Sequence, residues 1–232
     1  MKNLLKAFTL AEVLITLGIV GVVARLTLPA LTQNVQQQAA EATFAKAVNT
    51  LETVNEKMKL EGASKKVSTS YVPNSDVSGV HAKDYLPALS RHLNGSYKQM
   101  NLMINGTNRN NLHTFRTKDG ILFTATQNGI GVSPARSPKY YSSMDSLFVI
   151  DINGVKGPNK FGKDQFEVVI DNYGAVIPYG GAQYVEYHGG NVLWETNNGC
   201  PSRQDVKPNN PRACSGAIAD NGYKILYAYN AL

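Results

Sequence analysis

Residues 8–30 read FTLAEVLITLGIVGVVARLTLPA and follow a short basic leader, MKNLLKA, at residues 1–7. The run is long and apolar enough to cross a bilayer as a helix, yet it carries a carboxylate, Glu12. An ionised acid at such depth costs about 2.5–3.5 kcal/mol on insertion scales, so Glu12 calls for a partner. The nearest suitable cation is an α-amino group, and a cut after Ala7 would create one at Phe8. Within one helix Phe8 and Glu12 lie about one turn apart. The same pairing made between chains, Glu12 of one on Phe8 of the next, builds a filament.

A secretory signal peptide is the rival reading, with Lys2 and Lys6 as its basic region and a cut near Val22-Val23-Ala24. Apolar character runs from Leu10 to Ala24 and resumes at Leu26, longer than the roughly 7–15 residues of a secretory apolar region. An uncleaved signal anchor is the third reading. Lys2 and Lys6 precede the span, which places the leader on the cytoplasmic side and the chain after Pro29 across the membrane. Both cysteines, Cys200 and Cys214, fall in that exported part, where oxidation is permitted.

The 232 residues accommodate a membrane arm and one domain. The formal net charge of +6 falls by two when Lys2 and Lys6 leave with the leader. After residue 56, Lys and Arg are scattered, with no run longer than Lys65-Lys66, so the sequence lacks a clustered nucleic-acid footprint and argues against such a partner.

Past Pro29 the pattern turns amphipathic without a turn signal. Leu31, Val35, Phe44, Val48, Leu51, Val54 and Met58 recur at helical spacings between Gln36, Gln37, Glu41, Glu52, Glu56 and Lys57. One helix is expected to about residue 60, closed by Gly62, a rod on the order of 80 Å from Phe8. Its second half, 31–62, should lay its apolar stripe on a domain. Pro29 inside the rod removes a hydrogen bond, and Gly18 and Gly21 lower helix propensity.

These first thirty residues resemble the class III signal segment of type IV pilins and type II secretion pseudopilins. The resemblance rests on the Lys-containing leader, a small residue before the cut, then Phe8, Thr9, Leu10, Glu12 as the fifth residue after the cut, Gly21, and Pro29 closing the span. It is specific over residues 1 to about 60 and only pattern-level beyond. It implies that a prepilin peptidase of the inner membrane cuts between Ala7 and Phe8 and methylates the Phe8 amino group. It further implies that an assembly platform driven by a cytoplasmic ATPase packs the helices into a filament, with Glu12, Gly21 and Pro29 as assembly positions. Pro29 would let the rod melt in part during packing. Two departures stand out: Ala7 replaces the family's usual Gly, and Arg25 puts a full charge near the end of the apolar run, where it can snorkel to the interface.

The family expectation is thus a structural subunit of a type IV pilus-like filament, held in the bacterial inner membrane by a single span and carried to the cell surface on assembly. The alternatives are a pseudopilin of a type II secretion system and a minor pilin that binds DNA or a surface.

Residues 63–120 are rich in Ser, Asn and Gly and are expected to form a variable connecting region. It should hold one short helix near Ala82 to Leu93, with Pro87 in its first turn. Strand signals follow at Ile121 to Thr126, Leu147 to Ile152, Phe166 to Ile170 and Ala175 to Pro178, bounded by Asp-Gly, Asn-Gly and Tyr-Gly. A final alternating run, Tyr223 to Tyr229, is expected as an edge or closing strand. A long helix followed by an antiparallel β domain over 121–232 makes the chain α+β.

The loop DINGVKGPNKFGKD, residues 151–164, opens like a calcium loop. Val155 and Gly162 then stand where oxygen ligands belong, and Lys156, Lys160 and Lys163 oppose a dication. Asp, Asn, Gly and Pro are equally what a tight hairpin connection requires. Because pseudopilins use a calcium-stabilised loop in this half of the domain, Asp151, Asn153 and Asp164, with the Val155 carbonyl, are the calcium candidates. No other cofactor is expected. Type IV pilins also commonly close a C-terminal loop with a disulfide, which implies a Cys200–Cys214 bond; free thiols and a metal pair are the alternatives, the latter poor without nearby histidines.

No catalytic motif occurs. His81, His92, His113 and His188 show no ligand spacing, Asp164 and Glu167 fit hairpin solvation, and Trp194 and the twelve tyrosines fit sheet and filament contacts. No enzyme is expected.

Overall fold

The structure is a computed structural model that describes residues 8–61, 82–125, 146–170, 174–184, 199–200, 208, 210–227 and 229. Ala7, Gly62, His81, His188 and Trp194 lie outside the described residues. The chain divides into two compact units, one up to Ala39 and one from Ala40.

In the first unit, helix α1 (Leu10–Glu61) begins, and its large apolar side chains from Leu10 to Val35 are exposed. By length and composition the helix can cross a membrane. The hydroxyls of Thr16, Thr27 and Thr32 donate to the carbonyls of Glu12, Val23 and Leu28, at 2.9, 3.0 and 3.0 Å. Each hydroxyl is therefore satisfied one turn back within its own helix, which an apolar solvent demands. Pro29 sits inside the helix and leaves the Arg25 carbonyl without its helical donor.

The second unit forms around the rest of α1. From Ala40 the helix buries Ala40, Phe44, Ala47, Val48, Leu51 and Val54, a stripe at helical spacing. Leu31 and Val35, expected to open this stripe, are exposed instead. Helix α2 (Ala82–Leu89) contains Pro87. Six strands follow: β1 (Gly95–Ile104), β2 (Thr107–Thr117), β3 (Leu122–Ala125), β4 (Ser146–Asp151), β5 (Gln165–Ile170) and β6 (Val176–Pro178). They form one antiparallel sheet in sequence order, so the chain is α+β.

Side-chain alternation along the strands divides the core. Phe115, Phe123, Phe148, Ile150, Phe166 and Val168 cluster with the α1 stripe, and Phe44 stacks on Phe166 with ring centroids 4.5 Å apart. Leu122, Val149, Val169 and Ile177 occupy two smaller clusters. Burial on both faces explains why β4 reads as an unbroken apolar run, Leu147 to Ile150, and why β5 is apolar apart from Gln165 and Glu167. Buried Asn55 ties α1 to α2 and to the chain just before β6: its Nδ2 donates to the Gly174 carbonyl at 2.8 Å and its Oδ1 accepts the Tyr85 hydroxyl at 2.7 Å.

Two expectations fail here. The stretch read as connecting structure carries the long β1–β2 hairpin, so the sheet starts at Gly95 rather than Ile121. Its turn is Asn105-Gly106, both with positive φ (46° and 74°), the requirement of a two-residue hairpin turn. The tip is anchored, since Gly106 N–H donates to the Asn159 carbonyl at 3.0 Å and Asn105 N–H to Gln165 Oε1 at 2.9 Å.

The second failure is the closing strand. Described residues of the 223–229 run are not in a strand. Tyr223 takes a left-handed φ of 62°, which breaks an extended path at its start. Ile225 N–H then donates to the buried Glu41 of α1 at 2.9 Å rather than to a ladder. Ile225, Tyr227 and Tyr229 still enter the core, so the alternation was correct about burial and wrong about pairing.

Cys200 and Cys214 are joined by a disulfide, with Cα atoms 5.1 Å apart, and both are buried against the main core. Cys214 opens helix α3 (Cys214–Asp220), preceded by a 3₁₀ turn at Pro211–Ala213. Gly216 brings α3 so near the turn after β6 that a Cβ there would lie 2.0 Å from the Gly181 nitrogen.

Candidate functional site

At the start of α1, Thr9 and Glu12 hold each other. Thr9 N–H and the Thr9 hydroxyl both donate to Glu12 Oε2 at 2.8 Å, and Glu12 N–H donates to Thr9 Oγ1 at 3.2 Å. This is a capping box, in which a Thr before the first helical residue and a Glu three positions on satisfy two helix-end donors reciprocally. The Thr-Leu-Ala-Glu spacing carried that signal, and the sequence reading assigned Glu12 to charge pairing alone. The box also places the carboxylate at the very start of the helix, bonded to the Thr9 amide three residues before it. Phe8 is 85% exposed. Gly21 has open space at its Cα, and Arg25 is exposed.

The calcium candidates come together, but on protein donors. Asp151 Oδ1 accepts from Asn153 N–H at 3.3 Å and its Oδ2 from Gln165 Nε2 at 2.9 Å. Asp164 accepts Asn159 N–H at 2.8 Å and Lys160 N–H at 2.7 Å. Asn153 turns its Nδ2, not its oxygen, to Asp164 at 3.1 Å, and Val155 is exposed. A calcium ion needs six to eight oxygens. Here N–H groups take the carboxylate oxygens, and among the described residues no group of three or more His, Cys, Asp or Glu is placed to hold a metal ion. The donor set therefore fits a self-bonded connection between β4 and β5 rather than a calcium shell.

Burial pushes the Asp151 carboxyl up to about 7, with neighbouring Asp164 adding to the rise and the Gln165 bond opposing it. A folded-state value above the unfolded one means that this group's stabilising contribution is complete below about pH 4 and lost as pH rises through 7. Urea unfolding of the full chain in detergent should show stability falling across this window by a few kcal/mol from this group, and Asp151→Asn should flatten that part of the profile.

A second polar pair was missed by sequence reasoning. Glu167, 1% exposed on β5, receives both the Nε and Nη2 of Arg212, the latter at 2.8 Å. Arg212 comes from the 3₁₀ turn beside the disulfide and also lies over the Tyr179 ring, 5.0 Å from its centroid. Burial raises the Glu167 carboxyl above its ordinary value even against this guanidinium. Glu167 thus serves the fold, and not the hairpin solvation expected for it. Nothing in the sequence spacing of residues 167 and 212 announces the contact.

The described histidines form no catalytic set. His113 stacks on Tyr97, with ring centroids 5.9 Å apart, and also contacts Gln99; His92 lies 3.4 Å from Glu61. A groove of about 540 Å³ beside α1 is spanned by Lys46 and Asp119 at 2.8 Å, an exposed pair of small energetic weight. No protein-family model, curated protein or solved structure matches this chain.

Proposed function

We propose that the chain is a structural subunit of a type IV pilus-like filament, anchored in the bacterial inner membrane through α1, cut between Ala7 and Phe8 and assembled through that helix. The observation that carries the reading is Glu12: a carboxylate fixed at the N-terminal end of an exposed apolar helix, one turn from the residue that processing would turn into a free amine. In the assembled state the methylated amino group of Phe8 meets Glu12 of a neighbour, and each removes a charge that the other would bury unpaired. The capping box supports this, because it holds the carboxylate at the helix start before any neighbour arrives and lowers the entropy lost on pairing. The apolar helices pack at the centre of the filament and the β domains face outward. The disulfide at the C-terminal end of the domain agrees with a pilus more than with a secretion piston.

Co-expression with a prepilin peptidase and its assembly platform tests the reading. Sheared-surface fractions should contain filaments when the peptidase is active and none when it is inactivated; equal yield in both cells would overturn it.

A further inference from the structure

A cleft of about 470 Å³ opens on the face of the sheet turned away from α1. Strand alternation sets that face. Phe148, Ile150, Phe166 and Val168 pack with the α1 stripe, so Leu147, Val149 and Glu167, which alternate with them, lie on the other side, with Val149 opposite Glu167. Leu102 and Leu122 cluster there with Val149 and Phe161, and Arg109 is the cross-strand partner of Leu102.

The walls of the cleft combine apolar Leu112, Leu147 and Phe161 with Arg109, Arg212 and Glu167. Arg212 commits its Nε and Nη2 to the Glu167 carboxylate, which is enclosed to the point that its side chain is 2% exposed, whereas Arg212 is 42% exposed. A guanidinium carries five N–H donors, so the pair leaves part of the Arg212 fork unused. Arg109 is exposed and makes no hydrogen bond or ion pair among the described residues. Two guanidiniums against one carboxylate leave a surplus of one positive charge, and no other acid lines the cleft.

We propose that this cleft binds a small organic carboxylate with an apolar body, with Arg109 and Arg212 donating to the carboxylate and Leu112, Leu147 and Phe161 packing the body. Arginine matches the planar carboxylate with paired donors, and apolar walls with a few placed polar groups are the usual form of a small-molecule site. Glu167 holds the Arg212 fork in position before a ligand arrives, which lowers the entropy lost on binding. A single negative charge balances the surplus; a phosphate monoester would bring a second charge toward Glu167, and like charges at short range repel. This inference stands independently of the filament reading.

The test is fluorine NMR titration of the full chain in non-ionic detergent with para-trifluoromethylbenzoate, with detergent alone as the blank. A ligand of this size should bind saturably with a Kd of about 1 mM or tighter. The neutral isostere para-trifluoromethylbenzamide should bind at least tenfold more weakly, and acetate, which has the charge without the body, should compete only at far higher concentration. Arg109→Ala should weaken benzoate binding at least tenfold, Arg109→Lys less, and Lys57→Ala, on exposed α1, not at all. Hydrogen exchange should slow on benzoate addition at residues 107–112 and around Arg212. Absence of saturable binding overturns the proposal, as does an affinity that Arg109→Ala leaves unchanged. Equal binding of the benzamide overturns the anionic assignment, and equal competition by acetate overturns the apolar one.

Discussion

A Glu12→Gln chain is expected to fold, to enter the membrane and to yield at most a tenth of the wild-type filament. The substitution separates two tasks that the structure places on one side chain. Glutamine serves in a capping box as glutamate does, so the bonds from Thr9 to the substituted side chain can persist, and the helix start keeps the roughly 1 kcal/mol a cap is worth. What glutamine removes is the negative charge. If that charge neutralises the Phe8 amino group of a neighbour, its loss leaves a cation buried among apolar helices at a cost of several kcal/mol, more than enough for a tenfold loss. Glu12→Ala removes cap and charge together and should be at least as severe, while Thr9→Ala, which removes only the hydroxyl half of the cap, should be milder. Filament yield measured by shearing, with membrane levels as the control, ranks the three. Normal assembly of the Glu12→Gln chain would reduce Glu12 to a helix cap.

Replacing Arg212 with methionine is expected to destabilise the second unit by about 1–3 kcal/mol, the cost of leaving the enclosed Glu167 carboxylate without its partner, because the Arg212 side chain itself is 42% exposed and the pair is only half-enclosed. Glu167 is almost wholly enclosed and its carboxyl already sits above its ordinary value because burial outweighs the guanidinium. Without Arg212 the ionised form has no charge partner, so the group should take up a proton on folding. The sign follows: a carboxyl raised in the folded state contributes most below its unfolded value and loses that contribution as pH rises. The variant should therefore lie closest to wild type near pH 4 and farthest from it at pH 8. Adding Glu167→Gln removes the stranded charge and should restore part of the loss, a non-additivity that a double-mutant cycle reads directly. Urea midpoints of the four chains at two pH values suffice; equal midpoints at pH 8 for wild type and Arg212→Met would show the pair to be energetically idle.

The sequence was legible where one local rule dominated. The period of α1, the Pro29 interruption and the apolar runs of β3 to β6 follow from spacing alone, because a helix stripe and a doubly buried strand each leave a continuous signal. The hairpin of β1 and β2 was missed for the opposite reason. Its residues are mostly exposed Ser, Asn, Lys and Arg, which lack the apolar alternation of a half-buried strand, although Asn105-Gly106 marked the turn. The closing run from Tyr223 to Tyr229 misled because alternation reports burial, and the backbone partner turned out to be the Glu41 side chain rather than a strand.

Of the candidate site, Glu12 and Phe8 were legible because a charge in an apolar run is conspicuous against its background. The capping role of Glu12 was written in the same four residues and was overshadowed by that charge. Glu167 with Arg212 was not legible, since the contact depends on a chain reversal that brings distant positions together. The aspartate loop shows the converse. Asp151, Asn153 and Asp164 do converge, and the carboxylate oxygens accept from the Asn153 and Gln165 amides and from backbone N–H groups.

The filament account turns on whether an amine is made at Phe8. The most direct measurement is the mass of the N-terminal peptide from protein recovered in membranes of cells that carry an active prepilin peptidase. The account predicts a peptide that begins at N-methylated Phe8; an intact Met1, or a cut near Ala24, would deprive Glu12 of its partner and contradict it.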